Sequence, residues 1–234
     1  MHDVDRSVNK PQTTSLRPRW SRRLGIISFT AVMIAWSLGI LFAIGTSYDF
    51  MWRAGDAGTP PTHWPKEITS PTINDKPIVL VFFHPQCPCS RATLDELAIA
   101  MTHTRDQFQY VAVFEQPAGR DDDWTKADLW KKASKIDGLT LLVDSDDKLV
   151  NAFQAKTSGD TVVYSTAGEL LFHGGLTPGR DHRGDNAGRS FLESWTANKP
   201  VKLVSSPVFG CPLCVAPQAE TNAATRQENA SHAP

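Results

Sequence analysis

Two kinds of apolar run divide the chain. From Leu24 to Gly45 the sequence carries no charge, and these 22 residues form a helix long enough to cross a hydrocarbon core of about 30 Å. Much later, Ile78 to Phe83 is apolar at every position and rich in β-branched and aromatic residues, which predicts a strand buried on both faces. Pro85 closes it. From Cys89 the period changes, and Leu94, Leu97, Ala98 and Met101 recur at helical spacing on one face. Phe108–Phe114 then reads as a second strand. Trp124–Ile136 reads as a helix begun by the acidic run Asp121–Asp123, which suits a helix start better than a metal site. Leu139–Val143 is a third strand after Gly138, and Asp146–Phe153 a short helix. Thr161–Ser165 and Glu169–His173 flank Thr-Ala-Gly as a hairpin. A glycine-rich loop, Gly174–Gly188, leads into a last helix over Asn186–Ala197.

That order, β-α-β-α-β-α-β-β-α, predicts an α/β fold: a mixed sheet of parallel strands plus a C-terminal antiparallel hairpin, with helices on both faces. Around it the chain divides into a basic N-terminus (1–23), a transmembrane helix (24–45), a linker (46–75), the globular domain (76–198), a cysteine-containing segment (199–214) and a disordered tail (215–234). The linker is placed by Pro60, Pro61, Pro65 and Pro71. The apolar run exceeds the h-region of a signal peptide, and no small-x-small site closes it. Arg17, Arg19, Arg22 and Arg23 before the span and Asp49 after it place the N-terminus in the cytoplasm of a single-pass inner-membrane protein, with the domain extracytoplasmic.

Composition narrows the functions. A net charge of -1 gives no electrostatic case for nucleic acid. Four cysteines in two close pairs are too few for a disulfide scaffold and point to redox or soft-metal chemistry. The glycine-rich loop lacks a Gly-Lys-Ser or Gly-Lys-Thr ending, which argues against a phosphate loop. Its Arg180, His182 and Arg183 read as an exposed polar surface, and His173 as a strand-end histidine.

The chemistry centres on Cys87 and Cys89, where the first strand hands over to a helix. With Cys87 as N-cap and Pro88 at the first helical position, the helix dipole favours a thiolate. Arg91 and His84 are candidates for stabilising that thiolate or accepting its proton. Residues two apart on a helix point to nearly opposite sides, so a Cys87–Cys89 bond needs a non-helical turn and is strained. Topology brings Thr157–Asp160 and the glycine-rich loop to the same end of the sheet. The tail pair Cys211 and Cys214 follows apolar Val208 and Phe209, whose burial predicts a segment that docks on the domain and brings a thiol toward Cys87. Its alternatives are a structural staple and, using both pairs, a four-cysteine zinc site, for which Cys-x-Cys is the wrong spacing.

The element order, with a cysteine pair at the first strand-to-helix turn, resembles the thioredoxin superfamily over roughly residues 65–198, and the membrane-anchored layout is similar to the TlpA and ResA type. The runs His84-Pro-Gln-Cys-Pro-Cys-Ser-Arg91, Thr157-Ser-Gly159 and Gly184-Asp-Asn-Ala-Gly188 most resemble RedB-like proteins. Two departures stand out. Ser90 occupies the fourth place of the family's Cys-x-x-Cys, and Thr157-Ser-Gly-Asp160 occupies the place of its cis-proline, which helps hold substrate and keep metals off the thiols. The resemblance implies a thiol–disulfide oxidoreductase acting on a protein thiol or disulfide client. Cys87 and Cys89 would be catalytic and Thr157, Ser158 and Gly159 a substrate-facing loop, with no cofactor; Cys211 and Cys214, in the tail that the resemblance does not cover, are candidates for a resolving partner. The competing reading is a copper-handling protein that holds a soft metal through Cys87 and Cys89, with His84.

Overall fold

A computed structural model describes residues 19–195 and 203–213, without the side chains of residues 19–26. The polar start through Arg17, the arginine side chains before the apolar run, the end of the last helix at Ala197, Cys214 and the tail beyond it lie outside the described residues. The chain divides into two compact units, Met1–Tyr48 and Asp49–Pro234. The elements are α1 (Arg19–Trp52), β1 (Ile78–Phe83), α2 (Ser90–Thr104), β2 (Gln109–Gln116), α3 (Asp122–Thr125), α4 (Asp128–Ala133), β3 (Leu139–Ser145), α5 (Lys148–Ala152), β4 (Thr161–Tyr164), β5 (Leu170–Gly174), α6 (Ala187–Ser194) and β6 (Val204–Ser205).

Within α1, Ile27–Trp52 is long and apolar enough to cross a membrane, with a mean hydropathy of 2.2. Helix continues through residues 46–52, which the sequence reading gave to a linker. Nothing in Thr46–Trp52 breaks a helix: no proline occurs between Pro18 and Pro60.

In the second unit the six strands lie in the order β3-β2-β1-β4-β5-β6. β1 runs parallel to β2 and β2 to β3, whereas β4 is antiparallel to both β1 and β5. β1 is therefore central, which explains its unbroken apolar sequence. Val79, Val81 and Phe83 face Leu94, Leu97 and Met101 of α2 and Phe191 and Leu192 of α6. Ile78, Leu80 and Phe82 face the opposite layer, with Leu149, Val150 and Phe153.

Three expectations need correction. The single helix over Trp124–Ile136 is two short ones: the Asp121 carboxylate caps α3 by accepting from the Trp124 amide, and Ala127 is extended before α4 starts. The proline-rich stretch is laid on the domain rather than spacing it. Trp64 packs edge-on to Phe153 and Tyr164, the Tyr164 hydroxyl donates to the Pro61 carbonyl at 2.7 Å, and the Gly55 amide donates to Val208 at 2.8 Å. Finally, a sixth strand was not foreseen. β6 pairs parallel with β5, Phe172 beside Val204 and His173 beside Ser205, and starts a segment that runs back across the sheet edge.

Candidate functional site

Pro85 and the change of period place a turn between β1 and α2. The hydrogen bonds there span three residues: the Ser90 amide donates to Cys87, Arg91 to Pro88 and Ala92 to Cys89, all at 3.2–3.3 Å. The N-cap of α2 is Cys89, not Cys87 as the sequence suggested. The helix is entered through this tighter turn, which sets Cys87 one turn before it. Both thiols are free and nearly buried, at 2% and 7% exposure.

The chain after β6 supplies the third thiol. The Gly175 amide donates to Pro207, the Ser158 amide to Cys211 at 2.8 Å and the Leu213 amide to Lys156 at 2.9 Å, with an isolated antiparallel bridge between Thr157 and Pro212. Val208, Phe209 and Leu213 are buried, and their apolar area drives the docking. Gly210 is required there, because a Cβ would collide with the Ser158 carbonyl oxygen. The result is a cluster in which the sulfurs of Cys87, Cys89 and Cys211 all lie within 4.8 Å of one another. The Cys211 amide donates to the Cys87 sulfur at 3.3 Å.

Electrostatics separates the three. Burial pushes the Cys87 thiol up, but hydrogen bonds from the Ser90 side chain, the Cys211 thiol and amide, and the Ser90 amide outweigh it and hold Cys87 below its ordinary value. Cys211 is pushed up to about 12 by burial and by its hydrogen bond to, and the charge of, Cys87. Cys89 is raised by burial and by the charge of Cys87, with Arg180 opposing. The arrangement favours the thiolate form of Cys87, with the Cys211 thiol and amide as donors to its sulfur.

The helpers expected at Cys87 are turned elsewhere. The His84 ring lies 3.7 Å from the buried Glu115 carboxylate and edge-on to Trp124, accepts from the Gln86 amide at 3.1 Å, and is pushed below its ordinary value by burial. Arg91 reaches Asp128 at 3.8 Å. Ser90 and Cys211 do the stabilising instead. The loop expected to face substrate is covered: Thr157 and Ser158 are buried under the returning segment, while Gly159, at φ 93°, hydrogen-bonds Phe82 of β1. Ser158 joins the parts, its hydroxyl accepting from the His84 amide at 2.8 Å and lying 2.7 Å from the Ser90 hydroxyl.

Two residues were undervalued in the sequence. Arg180, read as exposed loop, is a cation beside Cys89 and Cys211; it donates to the Gly210 carbonyl, and its guanidinium lies 4.9 Å above the Phe50 ring. Only the topology, which returns the glycine-rich loop to this end of the sheet, signalled it. Asp160, just past the loop, is buried with its carboxylate 3.1 Å from the His173 ring. Beside Cys87 a cleft of about 470 Å³ opens between the turn and α4, lined by Gln86, Cys87, Arg91, Asp128 and Lys131 among others.

No family model matches the sequence, and no curated protein does. Among solved structures, an uncharacterized conserved protein from Geobacillus kaustophilus is similar at 18% identity, over 72% of this chain and 95% of that one, with a TM-score of 0.52. A hypothetical protein from Sinorhizobium meliloti 1021 is similar at 18% identity, over 68% and 93%, with a TM-score of 0.49. A secreted Mycobacterium tuberculosis disulfide oxidoreductase, homologous to DsbE of E. coli, is similar at 22% identity over 42% and 68%, with a TM-score of 0.33. At such identities likeness speaks for the fold. The strand order, with helices on both faces and the cysteines at the first strand-to-helix turn, is that of a thioredoxin-like mixed α/β sheet, preceded by one helix long and apolar enough to span a membrane.

Proposed function

We propose that the chain is a membrane-anchored, extracytoplasmic thiol–disulfide oxidoreductase with Cys87 as its nucleophile and Cys211 as the thiol that resolves the mixed disulfide. The observation that carries this is the hydrogen-bonded pair: the Cys87 sulfur, its thiol held below the ordinary value, with the Cys211 thiol and amide directed at it.

The Cys87 thiolate attacks one sulfur of a client disulfide, forming a Cys87–client bond and releasing the other client sulfur as thiolate. The thiolate's charge is thereby lost, and with it two of the influences that raise Cys211, so Cys211 becomes more acidic when its turn comes. Its proton passes to the departed client thiolate or to water. The Cys211 thiolate then attacks the Cys87 sulfur, forming a Cys87–Cys211 disulfide and releasing the second client thiolate. The client gains two electrons and the chain loses two; a dithiol donor restores it, and the reverse sequence oxidises a client. Cys89 suits this role less well, since a bond to Cys87 closes a very small ring.

The full-length chain in detergent, reduced and mixed with a disulfide-bonded protein, tests the assignment. Cys211→Ser is expected to trap the client on Cys87, and Cys89→Ser to turn over. A folded wild-type chain that leaves the disulfide intact would overturn the function; trapping by Cys89→Ser would overturn the choice of resolving thiol. For location, a reporter active only outside the cytoplasm and fused after residue 60 is expected to be active, and a well-expressed silent fusion refutes it.

A further inference from the structure

We propose that Cys87, Cys89 and Cys211 form a three-thiolate site for a soft monovalent cation, Cu(I), with Arg180 as the balancing charge. The ligands come from two segments more than 120 residues apart, Cys211 replacing the His84 that the local sequence offered.

The argument begins with size. At the metal–thiolate length of about 2.3 Å, three sulfurs around one ion stand about 4.0 Å apart. The sulfurs here already lie within 4.8 Å of one another, so the ion draws each pair together by less than about 1 Å. The turn of three-residue hydrogen bonds makes this possible by keeping Cys87 and Cys89 on one side, where a regular helix would separate them.

Ligand type and number then choose the ion. Three sulfurs and no oxygen favour a soft cation over magnesium, calcium or manganese. Zinc in a structural site takes four ligands. Among the described residues no other cysteine, histidine or carboxylate joins the cluster, and His84 is engaged with Glu115 and Trp124. Cu(I) is content with three thiolates and has no need of an open position.

Charge completes the case. Three thiolates and Cu(I) sum to minus two, which a nearly dry pocket tolerates only with compensation. Arg180 supplies one positive charge beside Cys89 and Cys211, anchored through the Gly210 carbonyl; Asp181 opposes it at Cys89 but not at Cys211, and the Cys211 amide already donates to sulfur. A site for a free cation would not place a guanidinium there; a site for an anionic metal–thiolate centre would.

The experiment titrates the reduced full-length chain in detergent, without oxygen, with Cu(I) in competition with a chromophoric Cu(I) chelator, and reads the coordination by X-ray absorption. The expected result is one Cu(I) per chain with three sulfur neighbours at a single distance. Cys87→Ser, Cys89→Ser and Cys211→Ser each weaken binding at least about 100-fold, and Arg180→Gln about 10-fold with the three-sulfur signature kept. Loss of the copper to the chelator by the wild-type chain, or a Cys211→Ser variant that binds as tightly as wild type, overturns the proposal. The X-ray signature is read on wild type and does not depend on any variant folding. The redox reading stands or falls separately, because disulfide turnover is measured on metal-free chain.

Discussion

The site is built from two cysteine-bearing segments held in opposite ways. The Cys87–Ser90 turn is continuous with β1, buried at every position, and with α2, whose inner face lies in the core, and cannot move without breaking that core. The Val208–Leu213 segment is held from outside, by three buried apolar side chains, a two-residue strand and a handful of backbone hydrogen bonds. Yet the donors that lower Cys87 are shared between them, Ser90 from one side and Cys211 from the other. Reactivity is thus set jointly by a rigid part and a dockable part, and undocking changes the chemistry without unfolding the domain.

Replacing the sulfur on the rigid side should have the largest effect. Cys87→Ser is expected to remove the fast phase of alkylation at neutral pH and to lower disulfide reduction by on the order of 10³-fold or more. A surviving fast phase would put the nucleophile elsewhere.

The floor beneath the docked segment gives the next effect. Burial pushes the Asp160 carboxyl up to about 6, with His173 opposing. His173 is pulled down by burial but raised further by Asp160. An acid that keeps its proton longer when folded adds stability that is complete below about pH 4 and lost as pH rises to about 6. Relative to Asp160→Asn, the wild type should therefore lose up to about 3 kcal/mol over that window, read by denaturant titration at each pH. Parallel curves would remove Asp160 as the titrating group.

Third comes docking itself. Gly210→Val drives a side chain into the Ser158 carbonyl and should lift the segment away. Without the Cys211 amide and thiol, the midpoint of Cys87 alkylation against pH should rise by about one to two units, the worth of a hydrogen bond to a charged group. An unchanged midpoint would mean that Ser90 suffices.

Smallest is the hydroxyl between the two parts. Ser158→Ala leaves the His84 amide and the Ser90 hydroxyl each short of a buried partner, and is expected to cost about 1–2 kcal/mol of stability. Ser158→Thr, which keeps the hydroxyl, tells a lost bond from a disturbed loop.

Much of the fold could be read because β1 is buried on both faces and α2 on one, and each burial state leaves its own periodicity. β6 left none: two residues, Val204 and Ser205, have no period to detect. The helix over Trp124–Ile136 misled because Trp124, Leu129 and Ile136 are apolar at plausible intervals, while the break at Lys126–Ala127 has neither glycine nor proline to mark it. At the site, Cys87 and Cys89 announced themselves by the change of period around them. Their surroundings were read less evenly: apolar Val208 and Phe209 signalled that the tail would bring a thiol back, but His84 and Arg91 were chosen for nearness in sequence over Ser90, and Arg180 reaches the thiols only in space. Sequence proximity serves a helix turn well and a pocket closed by three segments poorly.

The three thiols among the described residues have a consequence of parity. Three sulfurs in mutual reach admit three pairings, and each pairing leaves one thiol over, positioned against the bond just made. Among the described residues, then, no oxidised form of the cluster is closed to further exchange. The leftover sulfur can always attack, so an internal disulfide migrates rather than settles, favouring whichever pairing bears least strain. Within these three, what an outside client meets is a rotating vacancy: one reduced sulfur left by each pairing, whose identity is decided by the cluster and not by the client.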